Sequence, residues 1–267
     1  MPIIMPLKCK ICGSPLLPVF KKTVLGKHEA RYNFCEGCGF LCAENPHWLE
    51  EAYSSAIVST DTGLVVRNVT IAGKLAAILY FIMGERGDGR YVDVAGGYGM
   101  LTRLMRDYGF DFYWSDKYCE NLLARGFESI KTSPPFAAIT AFEALEHIHD
   151  PLAFIKESLS ESGTKTIIFS SELYEGEPPR PDEWWYYAFN TGQHISFYQK
   201  KTLHYIADNM GLHLYTNGFF HMLTDKTVNL FGYKILTGRF SNALSRIVRR
   251  NMQSKTFSDH ERLMIVP

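Results

Sequence analysis

Two pairs of cysteines near the N-terminus have a spacing that suits metal binding. They occur as Cys9-Lys-Ile-Cys12-Gly and Cys35-Glu-Gly-Cys38-Gly. A CxxC turn aims both thiolates at one point, and the glycine that follows permits backbone conformations in which amides face the sulfurs. Residues 16–22 and 28–34 between the turns have strand patterns that would bring the turns together. The four cysteines therefore predict a zinc site of the ribbon type.

The predicted zinc has a structural role, because four sulfur ligands fill a tetrahedral shell and leave no open position for catalysis. Disulfide pairing is the weaker alternative, since nothing else in the sequence indicates an oxidising compartment.

A glycine-rich turn follows a short apolar segment in the middle of the chain, Tyr91-Val-Asp-Val-Ala-Gly-Gly-Tyr-Gly-Met100. In open parallel sheets, ligands bind beyond the carboxyl ends of the strands, where such turns lie. The dinucleotide pattern G-x-G-x-x-G fails here, because Thr102 stands at the last glycine position. Asp93 would repel a pyrophosphate but attract a cationic ligand. The turn therefore favours a ligand that carries positive charge.

Strand-like and helix-like patterns alternate from residue 90 onward, which predicts an α/β fold with a parallel sheet covered by helices on both faces. An amphipathic or buried helix over residues 68–83 and a short helical segment over 46–55 precede this region. The predicted strands are residues 90–95, 110–115, 137–142, 165–171, 212–216 and 219–223. The predicted helices are residues 100–108, 118–125, 151–160 and 199–210.

Three ordered landmarks in residues 89–218 resemble class I S-adenosylmethionine (SAM)-dependent methyltransferases. The glycine turn is similar to motif I of that family, D/E-x-G-x-G-x-G. Asp116 matches the acid that hydrogen-bonds the cofactor ribose, and residues 139–151 resemble the "LEH..DP" stretch of ubiquinone-biosynthesis and sugar methyltransferases. The resemblance implies a Rossmann-like sheet preceded by the ribbon. It also implies SAM contacts from Asp93, Ala95, Gly96, Gly97, Gly99, Asp116, Phe142 and Glu143.

Two departures from the family pattern keep a non-catalytic interpretation open. Ala95 replaces the first glycine of motif I, which predicts tighter packing and weaker SAM binding. No acidic residue lies between Ile130 and Phe136 to meet the adenine amino group. A SAM-binding scaffold protein, assembled through its ribbon, is therefore an alternative hypothesis.

Two histidines are candidates for the acid/base that removes a proton from the methyl acceptor, because histidine titrates near neutral pH. His147 ends the LEH stretch, where it could equally cap or orient a short helix. His194 lies in a stretch similar to the H-x-S-x-[FY] motif of zinc-ribbon-bearing sugar methyltransferases. Relatives often have an acid before this histidine, whereas Gln193 stands here. We rank His194 slightly ahead of His147.

A run of aromatic residues follows the fifth predicted strand and should lie over the active-site end of the sheet. Trp184, Trp185 and Tyr187 offer flat faces on which a sugar could stack. Packing of the loop onto the domain is an equally weighted alternative.

Composition limits the classes of function. The 267 residues contain 28 Lys+Arg and 28 Asp+Glu, so broad binding of duplex nucleic acid has no electrostatic support. The longest apolar run, residues 75–83, is too short to span a bilayer, and the N-terminus lacks the pattern of a signal peptide. We therefore expect a cytoplasmic protein. Its predicted units are a ribbon (1–45), a helical linker (46–88), a SAM-binding domain (89–224) and a helical extension (225–267).

Together these features predict a SAM-dependent methyltransferase that acts on a small molecule, most plausibly a sugar or nucleotide-sugar. The first alternative is an RNA methyltransferase that grips RNA with its ribbon, and the second is the scaffold protein. The RNA hypothesis depends on four ribbon cations: Lys21, Lys22, Lys27 and Arg31.

Overall fold

Two β-sheets organise the chain. The computed structural model describes residues 7–53, 61–84, 89–130 and 135–265. The strands are β1 (Leu17–Val24), β2 (His28–Phe34), β3 (Leu41–Ala43), β4 (Arg90–Val94), β5 (Asp111–Ser115), β6 (Ala138–Ala141), β7 (Ile167–Ser170), β8 (Ser196–Phe197), β9 (His213–Thr216) and β10 (Phe220–Thr224). The smaller sheet has the order β1-β2-β3-β8, and the larger has the order β5-β4-β6-β7-β10-β9.

The larger sheet is parallel over β5, β4, β6 and β7, as the sequence predicts. Its other two strands are antiparallel: β10 runs opposite to both β7 and β9. Only residues 217–219 join β9 to β10, and a connection this short can form a hairpin but no parallel crossover. The predicted α/β sheet is thus confirmed, with an antiparallel hairpin at one side.

Helices pack on both sheets, with α1 beside the smaller one. They are α1 (Leu49–Ala52), α2 (Leu64–Phe81), α3 (Met100–Asp107), α4 (Pro151–Ser162), α5 (Lys200–Met210), α6 (Leu230–Thr237), α7 (Ser241–Asn251) and α8 (Thr256–Ile265). The α2 helix is long enough to cross a membrane, with a mean hydropathy of 1.5. It instead packs against α3, α6 and α7 and buries Leu75, Ile78 and Leu79 in the core. Its apolar composition therefore matches a core helix.

The predicted helix over residues 118–125 is wrong, because this segment forms turns. The Asp116 carboxylate accepts hydrogen bonds from the amides of Tyr118 and Cys119, and the Asn121 side chain accepts one from Ala124 N. Short polar side chains that bind nearby amides compete with helical hydrogen bonding. These local hydrogen bonds therefore replace the helix that the sequence pattern predicts.

The smaller sheet joins two distant parts of the chain. Its first three strands belong to the N-terminal ribbon, whereas β8 follows His194 by two residues. A buried aromatic cluster that includes Tyr32, Trp48, Tyr187 and Phe197 covers this sheet. The domain boundaries drawn from the sequence stay a prediction, and β8 links the first unit to the third.

Candidate active site and cysteine cluster

A cleft of about 1790 Å³ lies beyond the carboxyl ends of the parallel strands. It is lined by the glycine turn after β4, the segment after β5, the LEH stretch after β6 and the loop around residue 194. This is the edge of an open α/β sheet at which ligands bind. Among the residues expected to act at a site, the cleft is lined by Asp93, Ala95, Gly96, Gly97, Asp116, Phe142, Glu143, His147, Trp185 and His194.

The glycine turn is crowded on one side and open on the other. A Cβ on Gly96 would lie 2.9 Å from Trp114 Cδ1 and 3.0 Å from Asp93 Oδ2, so only glycine fits there. A Cβ on Gly97 would have nothing within 4 Å, so this position faces open space. Ala95 has a φ of 55°, a conformation that favours glycine. The turn thus leaves room for a ligand at the cost of strain at its first residue.

Gly99 starts α3 and does not line the cleft. Its φ is 85°, and a Cβ there would lie 2.8 Å from Asn121 Oδ1. This glycine therefore serves the packing of α3 against residues 121–124.

Asp93 is buried at the end of β4, with 3% of its surface exposed. Its Oδ1 accepts a hydrogen bond of 2.6 Å from Thr140 Oγ1. Burial, reinforced by the nearby Asp116 carboxylate, raises the pKa of Asp93 to about 7, although the Thr140 hydrogen bond opposes the rise. A cationic ligand in the cleft would favour the ionised form. Asp93 is therefore suited to a positively charged group.

Asp116 binds backbone amides of the glycine turn and of the segment after β5. Its carboxylate accepts hydrogen bonds from Gly97 N at 2.9 Å, Tyr118 N at 2.7 Å and Cys119 N at 2.9 Å. The sequence assigned this acid to a ribose, and the structure adds a second task. Asp116 links the turn after β4 to the segment after β5.

The two candidate histidines lie together, with ring centroids 4.8 Å apart and planes at 83°. His147 Nδ1 lies 3.1 Å from Gln193 O, and His194 Nδ1 lies 2.6 Å from Tyr186 O. A carbonyl oxygen only accepts, so each Nδ1 carries the proton and each Nε2 keeps its lone pair. Burial lowers the pKa of His147 to about 3 and that of His194 to about 4. Both rings are neutral at pH 7 and able to accept a proton.

Glu146 completes a three-residue cluster that sequence reasoning missed. One donor atom from each of Glu146, His147 and His194 lies within 4.8 Å of the other two. The Glu146 side chain is 1% exposed, and its Oε2 has no hydrogen-bond partner among the described residues. Burial, reinforced by Glu143, raises its pKa to about 8. Its position next to His147 in the LEH stretch was the available signal.

Arg67 is a second residue that the sequence did not reveal. It lies on α2 and lines the cleft, where its guanidinium donates two hydrogen bonds of 2.9 Å to Asp61 and forms an ion pair with Glu143, with 3.1 Å between Nε and Oε2. Glu143 also accepts a hydrogen bond of 2.7 Å from Ser170 Oγ. Glu143 was expected at the cofactor, and the structure places it in this polar network. A basic residue on an otherwise apolar helix was the sequence feature that could have indicated Arg67.

The three aromatic residues expected to meet a substrate separate into two environments. Trp185 lines the cleft and is 76% exposed. Trp184 and Tyr187 instead pack against Phe197 of β8, with ring centroids 5.5 and 4.9 Å away. Tyr187 also donates a hydrogen bond to Pro179 O. Of these three, Trp185 is thus the one that lines the cleft with an exposed side chain.

The four N-terminal cysteines form a compact cluster. Their sulfurs all lie within 4.8 Å of one another, with 3.5 Å between Cys9 and Cys38 and 3.4 Å between Cys12 and Cys35. Tetrahedral zinc with Zn–S bonds of about 2.3 Å needs sulfurs roughly 3.8 Å apart. The cluster therefore fits a zinc ion.

The sequence matches a known family over the same region that forms the cleft. The profile of the methyltransferase domain family covers residues 69–217, more than half of the chain. The chain belongs to the methyltransferase domain family. The expected class, a SAM-dependent methyltransferase of Rossmann-like fold, is thereby confirmed. No curated protein matches the chain.

Solved structures of methyltransferases are similar to this one at low sequence identity. Magnesium protoporphyrin IX methyltransferase from Synechocystis PCC 6803, with bound SAM, is 15% identical over 66% of this chain and 88% of that chain, with a TM-score of 0.43. Human N-acetylserotonin methyltransferase, also with SAM, is 11% identical over 68% and 66%, with a TM-score of 0.42. The family assignment rests on the sequence profile.

Proposed function

We propose that this methyltransferase transfers the methyl group of SAM to a small polar molecule, specifically a sugar or nucleotide-sugar, with His194 as the proton acceptor. The observation that supports it most is the pair of neutral, partly buried histidines in the same cleft as the family's glycine turn. A neutral imidazole has the unprotonated nitrogen that a general base needs, and an ionised Glu146 beside the rings would raise the pKa that burial lowers.

The cofactor has a suitable place at the β4 end of the cleft. Gly97 leaves open space, and Asp93 would meet a positive group of SAM. Asp116 would approach the ribose while it holds the turn. SAM, when bound, supplies an activated methyl group, so the protein mainly has to align the acceptor.

Proton removal takes place at the end of the cleft that carries His147 and His194. The proton of the acceptor passes to Nε2 of His194 as the acceptor takes the methyl group. The hydrogen bond from His194 Nδ1 to Tyr186 O keeps the ring oriented. A neighbouring Glu146 that ionises would stabilise the resulting imidazolium. His147, in perpendicular contact with the His194 ring, fixes the other side of that ring.

Charge pairing on the ribbon supports a small acceptor over RNA. The four ribbon cations on which the RNA hypothesis depends each have an acidic partner. Lys21 pairs with Glu29, Lys22 with Asp182, Lys27 with Glu51 and Arg31 with Glu44. Phosphate contacts need cations that are free to replace counterions.

The acceptor itself would lie between the histidines and the exposed face of Trp185. Sugars stack their apolar faces on such rings while their hydroxyls reach polar groups. Arg67, which lines the cleft, is already paired with Asp61 and Glu143. This supports placing the sugar near His194, with any diphosphate outside the cleft.

We further propose that the cysteine cluster binds structural zinc in a cytoplasmic protein. The sulfur spacing fits zinc, and reduced thiols are the normal state in that compartment.

Calorimetric titration of zinc-replete protein with SAM and S-adenosylhomocysteine tests the cofactor site, followed by turnover assays with sugars and nucleotide-sugars. Micromolar binding, about −8 kcal/mol, and product formation with a sugar would support the proposal. Absence of binding by either ligand would favour the scaffold alternative. Salt-sensitive retention on RNA would favour the RNA alternative.

A further inference from the structure

We propose that the cysteine cluster positions His194 through the hydrogen bonds that attach the ribbon to the segment after this histidine, so that metal loss from the ribbon disables proton transfer and spares cofactor binding. This inference rests on the proposed roles of the cluster and of His194. It makes the four cysteines positioning residues for the active site, in addition to stabilising the ribbon.

The path starts where the second cysteine pair runs into β3. Leu41 begins β3 three residues after Cys38 and pairs with Phe197 of β8. Ala43 N, at the end of β3, donates a hydrogen bond of 2.9 Å to Ile195 O. Ile195 directly follows His194. The ribbon therefore binds the backbone immediately after the proposed proton acceptor.

A second set of contacts binds the cysteine turn itself. The buried Thr202 donates from Oγ1 to Cys38 O at 2.9 Å. Tyr174 OH donates to Gly39 O at 2.7 Å, and this side chain is also buried. Thr202 follows the 194–198 segment in the chain and Tyr174 precedes it. The cysteine turn is thus attached to residues on both sides of that segment.

The opposite side of the 194–198 segment is bound to the LEH turn that carries His147. Three hydrogen bonds of 2.6–2.8 Å make this connection. They are Ile195 N to Glu146 O, Ser196 Oγ to Ile148 O, and Tyr198 OH to Leu145 O. The segment lies between the ribbon and the turn, so its position sets the distance between the two histidines.

The cofactor end is held by other contacts. Gly96 N donates to Ser115 O, Gly97 N donates to Asp116, and Trp114 Nε1 donates to Gly97 O. These partners all lie on β5 or just after it, in the larger sheet. A change in the ribbon should therefore reach the histidines before it reaches the SAM turn.

The test compares zinc-loaded and chelator-stripped full-length protein by hydrogen–deuterium exchange and by SAM titration. We expect exchange in residues 193–199 to rise about tenfold on stripping, while residues 91–101 keep their protection. The Kd for SAM should stay within about twofold, and kcat should fall.

A second variant avoids the risk that the stripped ribbon unfolds. Thr202→Val removes the hydrogen bond to Cys38 O, and with it the one that Thr202 Oγ1 accepts from Gln199 N, while leaving the cysteines and zinc in place. Because Gln199 N loses its acceptor directly, the readout is residues 193–198, where we expect exchange to rise about fivefold, with lower kcat and unchanged KM for SAM. The matched control is Thr166→Val, which removes a buried hydroxyl that contacts Thr224.

Two outcomes would overturn the inference. One is unchanged exchange in residues 193–199 when zinc removal opens the ribbon strands. The other is an equal rise in residues 91–101, which would make the cluster a general stabiliser. Failure of the proposed function gives a different result. SAM would not bind or be turned over, but exchange in residues 193–198 would still rise on zinc removal and in Thr202→Val.

Discussion

The two ends of the cleft are built by different means. At the proposed cofactor end, the backbone shapes the site. Gly96 is tightly packed, Gly97 faces open space, and the Asp116 carboxylate accepts hydrogen bonds from backbone amides. At the proton-transfer end, side chains from two distant segments meet: His147 and His194. The first end depends on one contiguous stretch and its neighbouring strand. The second depends on how the ribbon and the sheet are joined.

Substitution of His194 should separate the two ends most clearly. We expect His194→Ala to lower kcat by about 10²–10⁴-fold, because the acceptor proton loses its base. SAM affinity should not change, since the ring makes no contact with the glycine turn. Paired turnover and titration measurements check this. His204→Ala, an exposed histidine on α5, serves as the control.

The converse experiment uses Asp116. We expect Asp116→Ala to weaken SAM binding by about 10- to 100-fold, because three backbone amides lose their charged acceptor. Asp116→Asn keeps an oxygen acceptor and should lose less. Glu120→Ala, an exposed acid on the same segment, is the control in the titration. Equal SAM affinities for Asp116→Ala and wild type would show that the backbone held by Asp116 does not form the cofactor site.

Glu146, beside the two histidines, should make the free energy of unfolding depend on pH. Its folded pKa, about 8, is raised above the usual value of 4.5, so its stabilising contribution is complete below about pH 4.5. That contribution is lost as pH rises toward 8, with a slope of at most about 1.4 kcal/mol per pH unit. Glu146→Gln cannot ionise, so the difference in unfolding free energy between wild type and variant should fall with pH. Denaturant titrations from pH 5 to 8 measure this difference in unfolding free energy. A difference that does not change with pH would contradict a raised pKa for Glu146.

Ala95 offers the smallest and most local test, at the cofactor end. Its φ of 55° disfavours a side chain. We expect Ala95→Gly to stabilise the protein by about 1 kcal/mol or less, with equal or tighter SAM binding. Thermal unfolding and titration would detect both effects, and Ala188→Gly, at φ 47° beyond the glycine turn, is the matched control. Destabilisation by Ala95→Gly would show that the methyl group contributes packing that outweighs the strain.

Local sequence was sufficient for features formed by neighbouring residues. The CxxC pairs predicted a cluster that the structure assembles, and the glycine turn predicted a cleft at its strand end. The helix over residues 118–125 failed because Asp116 and Asn121 bind the amides that a helix would use. Apolar periodicity does not register that competition.

Long-range pairing decided the rest. The sequence by itself determined the methyltransferase family, the glycine turn and the four-cysteine cluster, because each depends on residue types at fixed short spacing. Only the tertiary structure brought Glu146 to the two histidines, moved Trp184 and Tyr187 into the ribbon core, and paired β8 with β3. Those contacts join residues far apart in the chain. Their formation depends on burial and hydrogen bonding across the assembled sheets, which no local pattern encodes.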